Sequence, residues 1–272
     1  LIECNDSYEV GINDKGGISC DRNYWLETDD CTLVNGKWAV KNNVPQLFKL
    51  DGEIVRGNRY VRVFTRSNLS ELSWQTIVRN PGNAQPLEQT RSRVHVPRLN
   101  RFLENESEFY LCTDPQAYKP DDLQYSGVTI MTMATKEAIT RAFNISKVET
   151  ISRFRPNLII EGEEIKPFDE FSWVGRRISV GHVFFWTVEQ ICIRCPVIGV
   201  NPFTGEYDRM FLKEFGKWVL RENYLFKAPE HARRMKSDGT LQGTFCAVNT
   251  SPAGTMPQFV SLTTGMEVSI SP

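Results

Sequence analysis

Along the first third of the chain, short apolar segments alternate with turn dipeptides. Tyr24-Trp25-Leu26, Lys37-Trp38-Ala39-Val40, Leu47-Phe48-Lys49-Leu50 and Tyr60-Val61-Arg62-Val63-Phe64 are punctuated by Asn35-Gly36, Asp51-Gly52 and Arg56-Gly57. Such dipeptides supply the positive φ of tight hairpin turns, so this spacing predicts a small barrel or meander over 1–115. The stretch 79–100 is polar and holds Pro81, Pro86 and Pro97. It predicts a long surface loop with one short strand at 94–96. Residues 113–123 read as a linker into a second domain, 120–272.

In that second domain, 128–132 is rich in β-branched residues and predicts a strand. Ala138, Ile139 and Phe143 then share one helical face, which predicts a helix over 132–143 with Thr132 or Thr135 as its cap. From residue 150 strands dominate again. The segment 206–232 is charged and partly helical. Short strands follow at 243–248 and 258–262, and Thr264-Gly265-Met266 turns into a last one. No internal repeat is found. The fold class expected is mainly β with minor α.

Composition changes this picture little. The chain has 272 residues, 40% hydrophobic and 24% charged, enough for a sizeable core and about two domains. A net charge of −1 supplies no global basic field, so nucleic acid is not an expected partner. The apolar runs are too short for a bilayer, and no transmembrane segment is expected in this chain. The seven cysteines are Cys4, Cys20, Cys31, Cys112, Cys192, Cys195 and Cys246. An odd, sparse set in a chain of this size fits a reducing compartment better than a disulfide scaffold. Asn-x-Ser/Thr triplets at Asn5, Asn68, Asn105, Asn144 and Asn249 are read as chance occurrences in a Ser/Thr/Asn-rich chain.

Candidate chemistry concentrates in 153–205. Arg153-Phe154-Arg155-Pro156-Asn157 sets two guanidiniums and an amide beside an apolar run. On an extended chain 153, 155 and 157 share one face. Arginine offers a planar fork of donors, and asparagine both a donor and an acceptor. The same arginines would also serve as charges protecting an edge strand, and Pro156 marks an edge or a bulge.

Further on, Cys192-Ile193-Arg194-Cys195-Pro196 places thiols next to a cation. A thiolate binds soft or high-valent metals, and a neighbouring cation favours the thiolate. Arg194 supplies that cation if it points the same way as Cys195, although strand neighbours face opposite sides. Cys192 falls on the other strand face and reads as structural. For an isolated Cys195, a buried structural role is the alternative. Glu161, Glu163, Glu164, Asp169 and Glu170 read as a solvated acidic loop. His95, His182 and His231 form no metal-ligand pair, and hydrolase, Walker, dinucleotide and iron–sulfur motifs are missing from the sequence.

Five features stand in order: the RFRPN run at 153–157; Pro167-Phe168-Asp169-Glu170 followed by Trp173; Ile178-Ser179-Val180-Gly181; Arg194-Cys195; and Pro202 with Thr204-Gly205. This series resembles the MOSC domain. That domain closes the molybdenum cofactor sulfurases and forms the core of the mitochondrial amidoxime-reducing components and their bacterial relatives. Residues 19–26 and Val44-Pro45-Gln46-Leu47 resemble elements of the domain that precedes MOSC in this family. The resemblance implies a MOSC-type β-barrel core preceded by a smaller β-barrel domain.

It further implies that Cys195 ligates molybdenum and that Arg155 and Asn157 contact the molybdenum cofactor (Mo-molybdopterin). Arg153 would share their face, and Arg194 would flank the thiol. Arg22 would reach the cofactor's phosphate, and Thr132 and Thr135 would cap a helix against it. One element departs: Ile2-Glu3 stand where relatives carry Lys-Ser, and a glutamate there repels a phosphate.

The activity implied is reduction of N-hydroxylated compounds, a small-molecule substrate class, with electrons from another protein or domain. One alternative is the cofactor-binding or sulfur-accepting C-terminal domain of a sulfurase. Another is a cofactor-free MOSC-fold protein using Cys195 as nucleophile or persulfide carrier. The expected location is cytoplasmic or mitochondrial.

Overall fold

A computed structural model describes residues 10–11, 24–55, 60–66, 72–79, 92–113, 127–233, 243–254 and 261–271. Arg22 and the opening segment 1–4 lie outside these residues, as do Cys20 and the 114–126 stretch. The described chain falls into two compact units. One holds 24–113 with 200–208; the other holds 10–11, 127–199 and 209–271. The first strand, β1 (Val10–Gly11), pairs within the second unit with β14 (Ser261–Leu262).

The first unit contains two antiparallel sheets. Strands β2 (Tyr24–Thr28), β3 (Leu33–Val34), β7 (Ser92–His95) and β8 (Phe109–Thr113) lie in the order β3-β2-β8-β7. Strands β4 (Asp51–Val55), β5 (Tyr60–Arg66) and β6 (Leu72–Arg79) form a meander. Leu99, Phe109 and Leu111 sit in its core.

Several local expectations are corrected here. Residues 37–40 are helical, not extended: α1 (Gly36–Lys41) starts at Asn35, whose Oδ1 accepts the Trp38 N–H at 3.0 Å. The Asn-Gly pair is thus a helix cap instead of a hairpin turn. Pro45–Lys49 is a 3-10 turn with proline at its start, where the missing N–H costs nothing. Asp51-Gly52 lies inside β4, while Arg56-Gly57 lies outside the described residues. Pro97 also opens a helix, α2 (Pro97–Leu103), where a loop is expected from composition.

The second unit is built on six strands. In addition to β12 (Phe184–Arg194) and β13 (Thr244–Pro252) it uses β9 (Thr129–Thr132), β10 (Leu158–Ile160), β11 (Arg177–Val180) and β15 (Val268–Ser271). Their order is β10-β9-β13-β12-β11-β15, a nearly closed barrel-like sheet. The chain as a whole is mostly sheet with few helices. β9 and β10 are parallel, so the chain must cross over between them, and it does so through α3 (Met133–Phe143) and α4 (Lys147–Phe154). The β11–β12 hairpin turns at Gly181, whose φ of +59° is the left-handed region that glycine tolerates.

The helices begin and end on readable signals. Thr132 caps α3 by accepting the Thr135 N–H, and Asn144 ends it in the left-handed region. Ser146 caps α4 by accepting the Glu149 N–H; Ser-x-x-Glu is a capping-box sequence. The triplet at Asn144 therefore reflects two adjacent caps, while Asn249 is buried within β13.

The RFRPN run is consequently not an extended strand. Arg153 and Phe154 end α4, Arg155 is its left-handed C-cap at φ 46°, and Pro156 prevents continuation. α5 (Phe211–Arg221) buries Phe211, Phe215, Trp218 and Val219 on one face. Those rings meet Phe143 and Phe154, with Phe154 and Phe215 centroids 4.9 Å apart.

Candidate functional site

Cys195 follows β12 directly and opens the 3-10 turn Pro196–Gly199. Its thiol is free and its side chain partly buried. Its carbonyl accepts the Ile198 N–H at 3.3 Å, which closes the turn. Ile193, near the end of the same strand, is exposed. Cys192 is buried, as is Cys246 on β13. Burial pushes the Cys246 thiol well above its usual range, against the opposing pull of Arg194. A thiol held protonated in this way makes a poor nucleophile or ligand. All described cysteines are free, and Cys31 is exposed.

Arg153 is buried and fully engaged. Its Nε and Nη2 donate to Glu149 Oε1 at 2.9 and 2.6 Å, and its Nη1 donates to the Ile198 carbonyl at 2.7 Å. The guanidinium lies 4.6 Å from the centre of the Phe211 ring. Arg194 Nε donates to the Cys246 carbonyl at 3.1 Å, and its guanidinium stands 6.0 Å from the Phe154 ring. Arg194 Nη2 is buried without a hydrogen-bond partner. Arg153 therefore ties the end of α4 to the turn after β12, and Arg194, bonded to β13, lies near Phe154 at the end of α4, so that the RFRPN run and the Arg-Cys pair come together.

Arg155 is exposed at the helix end. Asn157 acts on the backbone: its N–H donates to the Thr129 carbonyl at 2.8 Å, and its Oδ1 accepts the Thr129 N–H at 2.9 Å. This two-way clamp starts the parallel β9–β10 pairing.

Thr132 and Thr135 are both buried at 0% exposure, so neither hydroxyl faces solvent. Their oxygens lie 2.8 Å apart, and both point to Glu170 Oε2, at 2.9 and 2.8 Å. The Phe168 N–H donates to Thr135 Oγ1 at 2.6 Å. Glu170 Oε1 has no partner. Burial drives the Glu170 carboxyl up to about 7, against the downward pull of its own backbone amide and the two hydroxyls.

This corrects the reading of the acidic loop. Glu161, Glu163 and Glu164 are exposed, but Phe168 and Trp173 are core residues and draw Glu170 inside with them. Asp169 is held at the edge, where Lys227 Nζ bonds its Oδ1 at 2.5 Å and the Pro167 carbonyl at 2.8 Å. Three aromatics, Phe168, Phe171 and Trp173, flank Glu170 and are buried with it, and their spacing is the one local hint of its burial.

Among the described residues, no group of three or more His, Cys, Asp or Glu side chains could hold a metal ion. A surface depression of about 170 Å³ is lined by Glu137, Thr140, Arg141 and Lys147, none of them a site residue. No helix among the described residues is long and apolar enough to cross a membrane.

A molybdenum cofactor sulfurase of Caenorhabditis elegans is 24% identical over 201 residues, covering 72% of this chain and 27% of that protein. Its Caenorhabditis briggsae counterpart is 23% identical over the same length. A Drosophila willistoni molybdenum cofactor sulfurase is 45% identical over 58 residues, 21% of this chain and 7% of that one. The chain thus spans well under half the length of these relatives. The family model for the MOSC domain matches residues 126–249, the stretch that contains α3, α4, Glu170 and Cys195: the chain carries a MOSC domain.

Proposed function

We propose that this chain binds the molybdenum cofactor and presents Cys195 to it, as the cofactor-binding or sulfur-accepting part of a sulfurase-type protein. The observation that carries this reading is the placement of Cys195. It is a free, partly exposed thiol on a turn tied through Arg153 to the helix end where Arg155 is exposed. A soft ligand and an anion-binding fork on neighbouring segments suit a metal with a phosphate-bearing pterin. The sulfurase relatives support this reading ahead of a reductase.

The fit is selective. Cys195 would hold molybdenum, and Arg155 would hold the anionic portion. When bound, the cofactor supplies the metal's two-electron chemistry. The chain's own residues orient it: Asn157 sets the start of β10 beside Arg155, and the Cys195 turn fixes the thiol. Arg153, Thr132 and Thr135 support the site from inside, because their donors are already engaged. Arg194 donates to the Cys246 carbonyl and so fixes the end of β12 against β13.

Reduction of N-hydroxylated compounds would use the same thiol and cofactor with an external electron-transfer protein. The deciding experiment is molybdenum and pterin content of the chain produced in a cofactor-competent host. The wild-type chain and Cys192→Ala should retain both, and Cys195→Ala should lose molybdenum while keeping its fold by circular dichroism. A wild-type chain with neither molybdenum nor pterin would overturn the reading and leave Cys195 as a nucleophile or persulfide carrier. Turnover of an amidoxime by the loaded chain with an added electron donor would move the reductase reading to the front.

A further inference from the structure

We infer that Arg153 is the positioning residue of the Cys195 turn, a clamp that reaches the backbone three residues beyond the thiol without touching the ligand. Its partners form an unbroken series. Ser146 caps the Glu149 N–H, Glu149 Oε1 receives Nε and Nη2 of Arg153, and Nη1 of Arg153 reaches the Ile198 carbonyl. The Ile198 N–H in turn bonds the Cys195 carbonyl. Both polar groups of the Ile198 peptide unit region are thereby engaged, one within the turn and one by α4.

The physical case rests on what the turn lacks. A four-residue 3-10 turn has poor hydrogen-bond geometry and little persistence by itself. The Pro196–Gly199 turn packs Ile198 into the core but leaves Pro196 exposed. The Arg153 bond supplies the missing constraint from a rigid helix. Arg153 is 8% exposed, its guanidinium lies over Phe211 and is charge-compensated by Glu149, so it is held in one geometry. Removing one member of a buried pair strands the other, and the turn would lose its outer support.

The inference rests on Cys195 as the functional thiol, but its test does not require a bound cofactor. The purified chain is pulsed with iodoacetamide, and modification is followed cysteine by cysteine by mass spectrometry. Exposed Cys31 is the internal standard, and fully buried Cys246 reports loss of the fold. In Arg153→Met, the Cys195 rate relative to Cys31 should change by roughly threefold or more while Cys246 stays protected. Arg153→Lys should restore only part of the original ratio, because one ammonium cannot hold both Glu149 and the Ile198 carbonyl. An unchanged ratio in Arg153→Met with Cys246 protected overturns the inference. If Cys246 becomes reactive there, Glu149→Gln decides instead: a shifted ratio supports the clamp and an unshifted one overturns it. Molybdenum content is measured separately, so the clamp and the cofactor reading can fail independently.

Discussion

Glu170 lies fully buried with two threonine hydroxyls turned onto one of its oxygens, whereas Cys195 sits partly exposed on a turn held from inside by Arg153. Both clusters belong to the same unit, and both are made of residue types suited to binding anions or metals. Their difference is where the polar valence ends. Around Glu170 the hydroxyls and the Phe168 amide close on one another inside the protein. Around Cys195 the buried Arg153 guanidinium closes on Glu149 and the Ile198 carbonyl, while the thiol is partly exposed and Arg155 is exposed. Arginine and threonine at such positions build the scaffold as readily as they bind a ligand, and burial separates the two roles.

The largest expected effect breaks the inner cluster. At about pH 5, Glu170→Ala should destabilise the chain by about 2–4 kcal/mol, from two buried hydroxyls losing their acceptor and from the cavity left behind. Thermal or urea unfolding measures it. A loss no larger than that of an exposed residue such as Glu163→Ala would mean that the threonine pair closes on itself and needs no carboxylate.

A second, slightly smaller effect depends on pH. The folded-state value of Glu170, about 7, lies above the 4.5 of an unperturbed glutamate. The folded chain therefore keeps a proton that the unfolded chain releases. Stability from this group is full below pH 4.5, falls as pH rises towards 7, and is flat above. Between pH 5 and 8 the loss should be roughly 2–3 kcal/mol. Glu170→Gln, which stays neutral, should remove this component from the difference between the two stability–pH curves. Parallel curves would show that the carboxyl is ionised throughout and that its free oxygen has found a partner.

The sequence makes the outer cluster legible and hides the inner one, for a physical reason. α3 and the last strand are announced by local signals: a Thr132 cap and Gly265 in a turn. The cysteine pair is visible because few residue types do what a thiolate does. Glu170 is hidden because its burial depends on Phe168 and Trp173 entering a core built from distant strands and α5. The helical ending of RFRPN is missed on similar grounds: alternating Arg-Phe-Arg suggests a strand, but the deciding cap is Ser146, seven residues upstream of Arg153. In the first unit, Asn35-Gly36 and Pro97 carry signals shared by turns and helix starts, and packing chooses between them.

The smallest effect bears on Arg155, the one member of the RFRPN run that is exposed. It holds a left-handed C-cap conformation, φ 46°, which glycine adopts without the steric cost of a Cβ. For the backbone conformation alone, glycine is the better residue there. Arg155→Gly should therefore leave stability unchanged or raise it by up to about 1 kcal/mol, while weakening cofactor retention by about 1.5–3 kcal/mol through loss of a charge-assisted contact. Arg155→Lys should recover part of the retention, since an ammonium keeps the charge but not the fork. Asn144, the left-handed cap of α3, is the control: Asn144→Gly should match the stability effect and leave retention untouched. Opposite signs for stability and retention at Arg155 would mark a side chain kept against local backbone preference for its function. If stability falls instead, Arg155 is one more scaffold arginine, and the contrast between the two clusters narrows to the thiol alone.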